Sequence, residues 1–133
     1  MSEDEIIHAA LAEVVSQAGF HHRDHVRLAW RLNRELGVDA APGAVARAIQ
    51  FVAARHGEPG KYHETLTHFW ARVVGRHVEW RPDLTDFEQF IAAFPQLLDK
   101  QLPARHWRHE TLYSTAARAA WVEPDLLALP GGK

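Results

Sequence analysis

Apolar residues recur at the spacing of an α-helix in six segments of this chain, and no segment alternates apolar and polar residues for long enough to form a strand. Helix stop signals such as Gly37 and Pro124 separate or end these segments. The connections are short, which favours antiparallel neighbours. The sequence therefore predicts an all-α fold, a single helical domain over residues 1–133 built as a compact, mostly up-and-down bundle of about six helices.

Each helix is predicted from its own apolar stripe and from the residues that flank it. The predicted bounds are 4–18, 21–36, 43–55 and 61–77, then a helix that begins at a capping box over 85–88, and a last helix over 105–121. We expect the apolar C-terminal tail, 124–133, to pack across the bundle.

The amino-acid composition excludes several classes of function and of binding partner. The chain has no cysteine, which excludes disulfides, thiolate metal ligands and a cysteine nucleophile. Its 15 basic and 17 acidic residues give a net charge of -2, and the basic residues do not form a run, so we expect no nucleic-acid partner. No apolar run approaches the ~20 residues that a membrane span needs, and the N-terminus is acidic, unlike a signal peptide. We therefore expect no membrane partner and a cytoplasmic location.

Histidines begin the inward-facing stripes of three predicted helices. At about 100° per residue, His25 lies on the apolar face of the second helix, with His22 on its flank, and His63 lies on that of the fourth. His106 and His109 lie on the apolar face of the last helix. In an up-and-down bundle these three helices point the same way. We therefore expect their histidine-bearing ends to meet at one end of the bundle.

A meeting of histidines predicts a metal centre, because neutral imidazole is the commonest protein ligand of first-row metals. We expect His25, His63 and His109 to hold one divalent ion, with His106 or His22 completing the site. Fe, Cu or Zn is the predicted cofactor. Three protein ligands and an open position are typical of a catalytic site.

Three further residues at the same level are candidate catalytic groups. Glu110 can orient a histidine or act as general base on metal-bound water. Tyr113 can donate a hydrogen bond to a bound anion or oxygen species, and Tyr62 adjoins His63. The predicted function is a metal-dependent enzyme acting on a small molecule. Its chemistry stays open between oxidation at Fe or Cu and hydrolysis or elimination at Zn or Mn.

This layout is similar to that of DinB/YfiT-type metal bundles, in which histidines from separate helices hold one metal. Those proteins carry a His-x-x-x-His pair on one helix, whereas the last helix here carries His106-x-x-His109. The resemblance is confined to the layout, and no function is carried over from it.

The histidines also have simpler interpretations. His25 alone is more often a satisfied core residue than a ligand, and His63 can cap its own helix. The alternative function is therefore a non-catalytic helical interaction module, for example a homodimer, with a pH-sensitive histidine network. A metal site places ring nitrogens about 2.0–2.2 Å from one ion, whereas a polar network pairs imidazoles with carboxylates or carbonyls.

Overall fold

The computed structural model describes residues 1–15 and 19–130, and the predicted all-α bundle is confirmed. The described residues form seven α-helices: α1 (Glu3–Val14), α2 (His22–Leu36), α3 (Ala41–Arg55), α4 (Glu64–Trp80), α5 (Phe87–Ala93), α6 (His109–Leu112) and α7 (Thr115–Ala119). Short 3₁₀ turns cover Pro59–Lys61, Pro95–Leu98 and Leu102–Arg105. None of the helices in this described part is both long and apolar enough to cross a membrane.

The pair formed by α2 and α4 is the centre of the bundle. α3 packs against both of these helices, α1 packs against α2 and α3, and α7 packs against α4. One continuous hydrophobic core joins them, and its largest fully buried side chains include Trp107, Phe69, Phe90 and Leu28. The apolar tail contributes Leu129 to this core, while Leu126 and Leu127 stay exposed. Residues 131–133 of the predicted tail lie outside the described residues.

Helix bounds differ from prediction mainly where a polar side chain binds the backbone. α4 begins three residues later than predicted because His63 has extended backbone and caps the helix with its imidazole. α1 ends at Val14, since Val15 is already extended. The part of the predicted first helix that covers 16–18 lies outside the described residues.

The predicted last helix over 105–121 is not continuous, and this part of the prediction is wrong. Ser114 interrupts it with extended backbone. The Ser114 hydroxyl donates to the carbonyl of Thr111 at 2.8 Å and accepts from the amide of Ala117 at 3.1 Å. One side chain therefore provides hydrogen bonds to a backbone carbonyl at the end of α6 and a backbone amide at the start of α7, and the chain can turn there. Arg108 is extended as well, between the 3₁₀ turn that ends at Arg105 and the start of α6 at His109. His106 and His109 therefore do not lie on one helix, and the premise that a long last helix carries both of them fails.

Candidate functional site

The predicted metal ligands do not converge on one centre in the described residues. His25 and His63 line a cleft between α2, α3 and the start of α4. His109 is exposed at the start of α6, where it lines a different cleft. Among residues 1–15 and 19–130, no three histidine, aspartate or glutamate side chains form a group that could hold a metal ion. The expected centre of His25, His63 and His109 is therefore not assembled by the described residues, and the Fe, Cu or Zn ion stays a prediction.

The two accessory ligands of the predicted centre bind backbone carbonyls instead. His106 is buried, and its Nδ1 donates to the carbonyl of Leu127 at 2.7 Å. His22 is half-buried, and its Nε2 donates to the carbonyl of Leu97 at 3.0 Å. A carbonyl oxygen only accepts, so each of these ring nitrogens carries a proton. Neither can coordinate a metal through that atom.

His63 uses both ring nitrogens to hold the fold. Its Nδ1 accepts from the amide of Leu66 at 3.1 Å, which caps α4, and its Nε2 donates to the carbonyl of Leu112 at 2.7 Å. This is the capping role that the sequence left open. Burial lowers the pKa of His63. The neutral imidazole with its proton on Nε2 is the form that makes both bonds, and it has no lone pair left for a metal.

His25 is different, because its Nε2 is shielded from solvent and has no hydrogen-bond partner among the described residues. Burial, with a smaller effect from the nearby His22, lowers the pKa of His25 to about 4. The imidazole is therefore neutral near neutral pH. A buried polar atom without a partner destabilises the fold by about 1–3 kcal/mol. Such an atom in a native structure calls for an explanation.

The cleft beside His25 has a volume of about 430 Å³. We call it the His25 cleft. Its apolar walls are formed by Phe20, Ile49, Val52, Ala53 and Leu66, and its polar walls by His25, His56, Glu58, Lys61, Tyr62, His63 and Thr67. Ile49 and Val52 belong to the apolar stripe of the predicted third helix. Nothing in that pattern indicates that this part of α3 borders a cleft.

Tyr62, a predicted catalytic group, lies in this cleft, but its hydroxyl donates a short hydrogen bond to Glu64. Burial raises the pKa of Tyr62, and the hydrogen bond to Glu64 raises it further. The phenol is therefore a hydrogen-bond donor and not a base. The other carboxylate oxygen of Glu64 lies 3.2 Å from Nε2 of His68. The side chain of His68 is only 17% exposed.

The remaining candidate catalytic groups lie on and after α6. Glu110 is exposed, and Tyr113 is half-exposed. The Tyr113 ring centroid is 4.7 Å from that of His109 and 5.9 Å from that of His63. The structure thus brings Tyr113, His109 and His63 together as packed rings. The roles of Glu110 and Tyr113 at a metal centre stay predictions.

The two clefts share a wall. His63 lines the His25 cleft, Leu112 lines the cleft of His109, and the bond from His63 to the Leu112 carbonyl joins them. Comparison of the chain with protein-family models, with curated proteins and with solved structures gives no match.

Proposed function

We propose that this domain binds a small, uncharged and largely apolar molecule in the His25 cleft. The observation that carries the proposal is the buried Nε2 of His25, which has no partner among the described residues, in a side chain that lines a cleft of about 430 Å³. Small-molecule sites are clefts of about 300–1,000 Å³ with mostly apolar walls and a few polar groups. The unliganded fold shields Nε2 from solvent, so a ligand reaches it only when the cleft wall shifts to expose it. A ligand carbonyl or hydroxyl would then supply the missing hydrogen bond, since a neutral imidazole nitrogen either donates or accepts.

The charges in this cleft favour an uncharged ligand. The Lys61 ammonium and the Glu58 carboxylate pair with each other at 2.5 Å. The pKa of His25 is about 4, so its imidazole carries no charge near neutral pH. The raised pKa of Tyr62 keeps its phenol protonated. A charged ligand would lose its hydration here without an unpaired opposite charge to replace it.

The proposal is confined to binding. The enzymatic activity predicted from the sequence depends on a ligand set that the described residues do not assemble. Binding of an uncharged molecule needs only the cleft walls and the neutral groups of His25 and Tyr62.

The test is a titration with naphthol, followed through the amide NMR signals of the wild-type protein. The blocking variant is Ala53→Trp, because Ala53 lines the cleft. The matched control is Ala54→Trp, which adds the same side chain at the next, exposed position of α3. Naphthoate and naphthylmethylammonium have the same aromatic body with a negative or a positive charge.

We expect naphthol to shift signals around His25 and Ala53, to bind Ala54→Trp as it binds wild type, and to lose binding in Ala53→Trp. The two charged probes should bind this cleft at least about tenfold more weakly, a difference of about 1.4 kcal/mol. Absence of naphthol binding in this cleft, or equal binding to both tryptophan variants, would contradict the proposal.

A second candidate, the pH-sensitive interaction module, is favoured by the way the other histidines are bonded. His22, His63, His77 and His106 each bind a backbone carbonyl. Burial lowers the pKa of the first three. This candidate predicts a change in oligomeric state between about pH 7 and about pH 4, because the lowered pKa values place the protonation of these histidines below about pH 6.5. Light scattering that gives the same mass at both values would rule it out.

A further inference from the structure

The second cleft is the one beside Lys100, with a volume of about 360 Å³. We call it the Lys100 cleft. Its walls include three basic residues and three large apolar or aromatic ones: Lys100, Arg108, His109, Trp107, Tyr113 and Leu126. No acidic residue of the described chain lines it. Its charge is therefore unlike that of the His25 cleft, where Lys61 is paired with Glu58.

The basic side chains of this cleft have no carboxylate partner. Within the described ranges, Lys100, Arg108 and His109 form no ion pair. Ion pairs are common elsewhere on this chain, as for Arg31 with Glu35 at 2.9 Å. The two unpaired cations, Lys100 and Arg108, on one concave surface attract an anion and repel a cation.

Two carboxylates that adjoin residues of this cleft, those of Asp99 and Asp125, are held by other donors. The Oδ1 atom of Asp125 accepts from the backbone amide of Arg108 at 2.9 Å, and its Oδ2 accepts from the Thr111 hydroxyl at 2.5 Å. Asp99 accepts from the amide of Gln101 at 2.9 Å. Asp125 offsets part of the Arg108 charge, but its oxygens are directed to the backbone and to Thr111. The basic side chains remain available to a ligand.

The rest of the cleft is aromatic and apolar. Trp107 is 1% exposed, and its indole nitrogen donates to the carbonyl of Val122 at 3.1 Å, which fixes the ring. Tyr113 is 50% exposed and Leu126 is 52% exposed. Large exposed apolar side chains beside basic groups form a surface that contacts both the body and the charge of an amphipathic anion.

We propose that the Lys100 cleft is a second binding site, which takes a small molecule with a carboxylate or phosphate group on an aromatic body. Lys100 and Arg108 bind the anionic group, through a point charge and a planar set of N–H donors respectively. Tyr113 and Leu126, which are both half-exposed, contact the aromatic body, with the buried Trp107 ring behind them. This site is independent of the His25 cleft, since it differs from it in position and in charge.

The test is a titration of the wild-type protein with naphthyl phosphate, with naphthoate and with uncharged naphthol, followed through amide and indole NMR signals. Added salt at about 0.15 M screens general surface attraction. The variant is Lys100→Gln with Arg108→Gln, both at exposed positions. The matched control is Arg105→Gln, an exposed arginine of the preceding turn that does not line the cleft. Melting temperatures check that every variant folds.

We expect at least one anionic probe to shift the Trp107 indole signal and the signals around Tyr113 and Leu126. The double variant should weaken that binding by about tenfold or more, and Arg105→Gln by less than about twofold. Stronger binding of the phosphate than of the carboxylate would identify a phosphate ligand, and the reverse order a carboxylate. Ala53→Trp should leave this binding unchanged, so the two proposals succeed or fail separately.

Three outcomes would overturn the proposal. The first is the absence of shifts at this cleft with either anionic probe at about 10 mM, which corresponds to less than about 3 kcal/mol of binding. The second is equal weakening by Arg105→Gln, which would show attraction to the general surface. The third is naphthol binding here as tightly as the anions.

Discussion

Asn33 of α2 lies directly against Gly75 of α4, so closely that a Cβ atom on Gly75 would be 2.5 Å from Oδ1 of Asn33. The Asn33 amide nitrogen donates to the carbonyl of Ala29 at 2.8 Å and to that of Ala71 at 3.0 Å. This buried side chain therefore joins the two central helices, and the glycine makes their close approach feasible. The same helix pair positions His25 at one end of α2 and His63 at the start of α4.

Gly75→Ala should lower the free energy of unfolding by about 1–3 kcal/mol, because the added methyl overlaps Asn33 and also lies 3.3 Å from Val38. Gly43→Ala is the matched control, since the nearest atom to its added methyl is the end of Arg47 at 3.8 Å. That control should be neutral or stabilise α3 by up to about 1 kcal/mol. Urea denaturation measures both. Equal stability of the two variants would show that α2 and α4 are less closely packed than described.

His63→Ala should lower the free energy of unfolding by about 1–3 kcal/mol, because it removes the cap of α4 and leaves the Leu112 carbonyl without its donor. His63→Asn keeps a capping acceptor and should recover part of this loss. His109→Ala, at an exposed histidine, is the control and should change stability by less than about 0.5 kcal/mol. A loss in His109→Ala as large as that in His63→Ala would contradict these roles.

Stability should fall as pH falls from about 6.5 to about 4. Burial lowers the pKa of His25 to about 4, below its value in the unfolded chain. The unfolded state therefore binds more protons than the folded state in this range. The contribution of His25 to the free energy of unfolding is complete above about pH 6.5 and is lost as pH falls through about 4. It amounts to at most about 3 kcal/mol. The lowered pKa values of His22, His63 and His77 act in the same direction.

Urea denaturation across this pH range measures that slope, and His25→Leu is the matching variant. Removing the imidazole should flatten the pH dependence without abolishing it, because three other histidines with lowered pKa remain. If the free energy of unfolding of His25→Leu depends on pH as steeply as that of the wild type, the pH dependence comes from those other histidines.

His25→Leu should also raise the free energy of unfolding of the unliganded protein at neutral pH by about 1–2 kcal/mol, because a buried nitrogen without a partner is replaced by an apolar side chain. The same change should weaken naphthol binding in the His25 cleft. Gained stability with lost binding is typical of a residue retained for function. His8→Leu, at an exposed histidine of α1 that does not line this cleft, is the control. Loss of stability in His25→Leu would show that the imidazole has a structural partner.

The long helices were predictable from the sequence because their signals are local. The predicted second helix, 21–36, differs from α2 by one residue at its start, and Gly37 follows it in both cases. The third differs from α3 by two residues. In each case the apolar stripe, the stop signal and the backbone hydrogen bonds all lie within a few residues of one another.

The break in the last predicted helix followed from contacts that sequence periodicity does not contain. Thr65 of α4 donates to the carbonyl of Ala120 at 2.9 Å, and the amide of Leu126 donates to the carbonyl of His106 at 2.9 Å. These bonds hold the segment after α7 in an irregular path across the bundle. The periodicity over 105–121 is compatible with one long helix. The tertiary hydrogen bonds and the Ser114 hydroxyl instead stabilise two short helices.

Local sequence signals were enough to predict a helical chain and the positions of its main helices. They also placed histidines at the start of the inner faces of α2 and α4. The hydrogen-bond partner of each histidine depended on the packed fold. His22 donates to the carbonyl of Leu97, 75 residues away in sequence, and His63 donates to that of Leu112, 49 residues away. Nε2 of His25 has no hydrogen-bond partner in the described chain. The physical reason is that helix periodicity depends on neighbours within one or two turns. The partner of an imidazole depends instead on which distant backbone atom the packed fold places within about 3 Å of it.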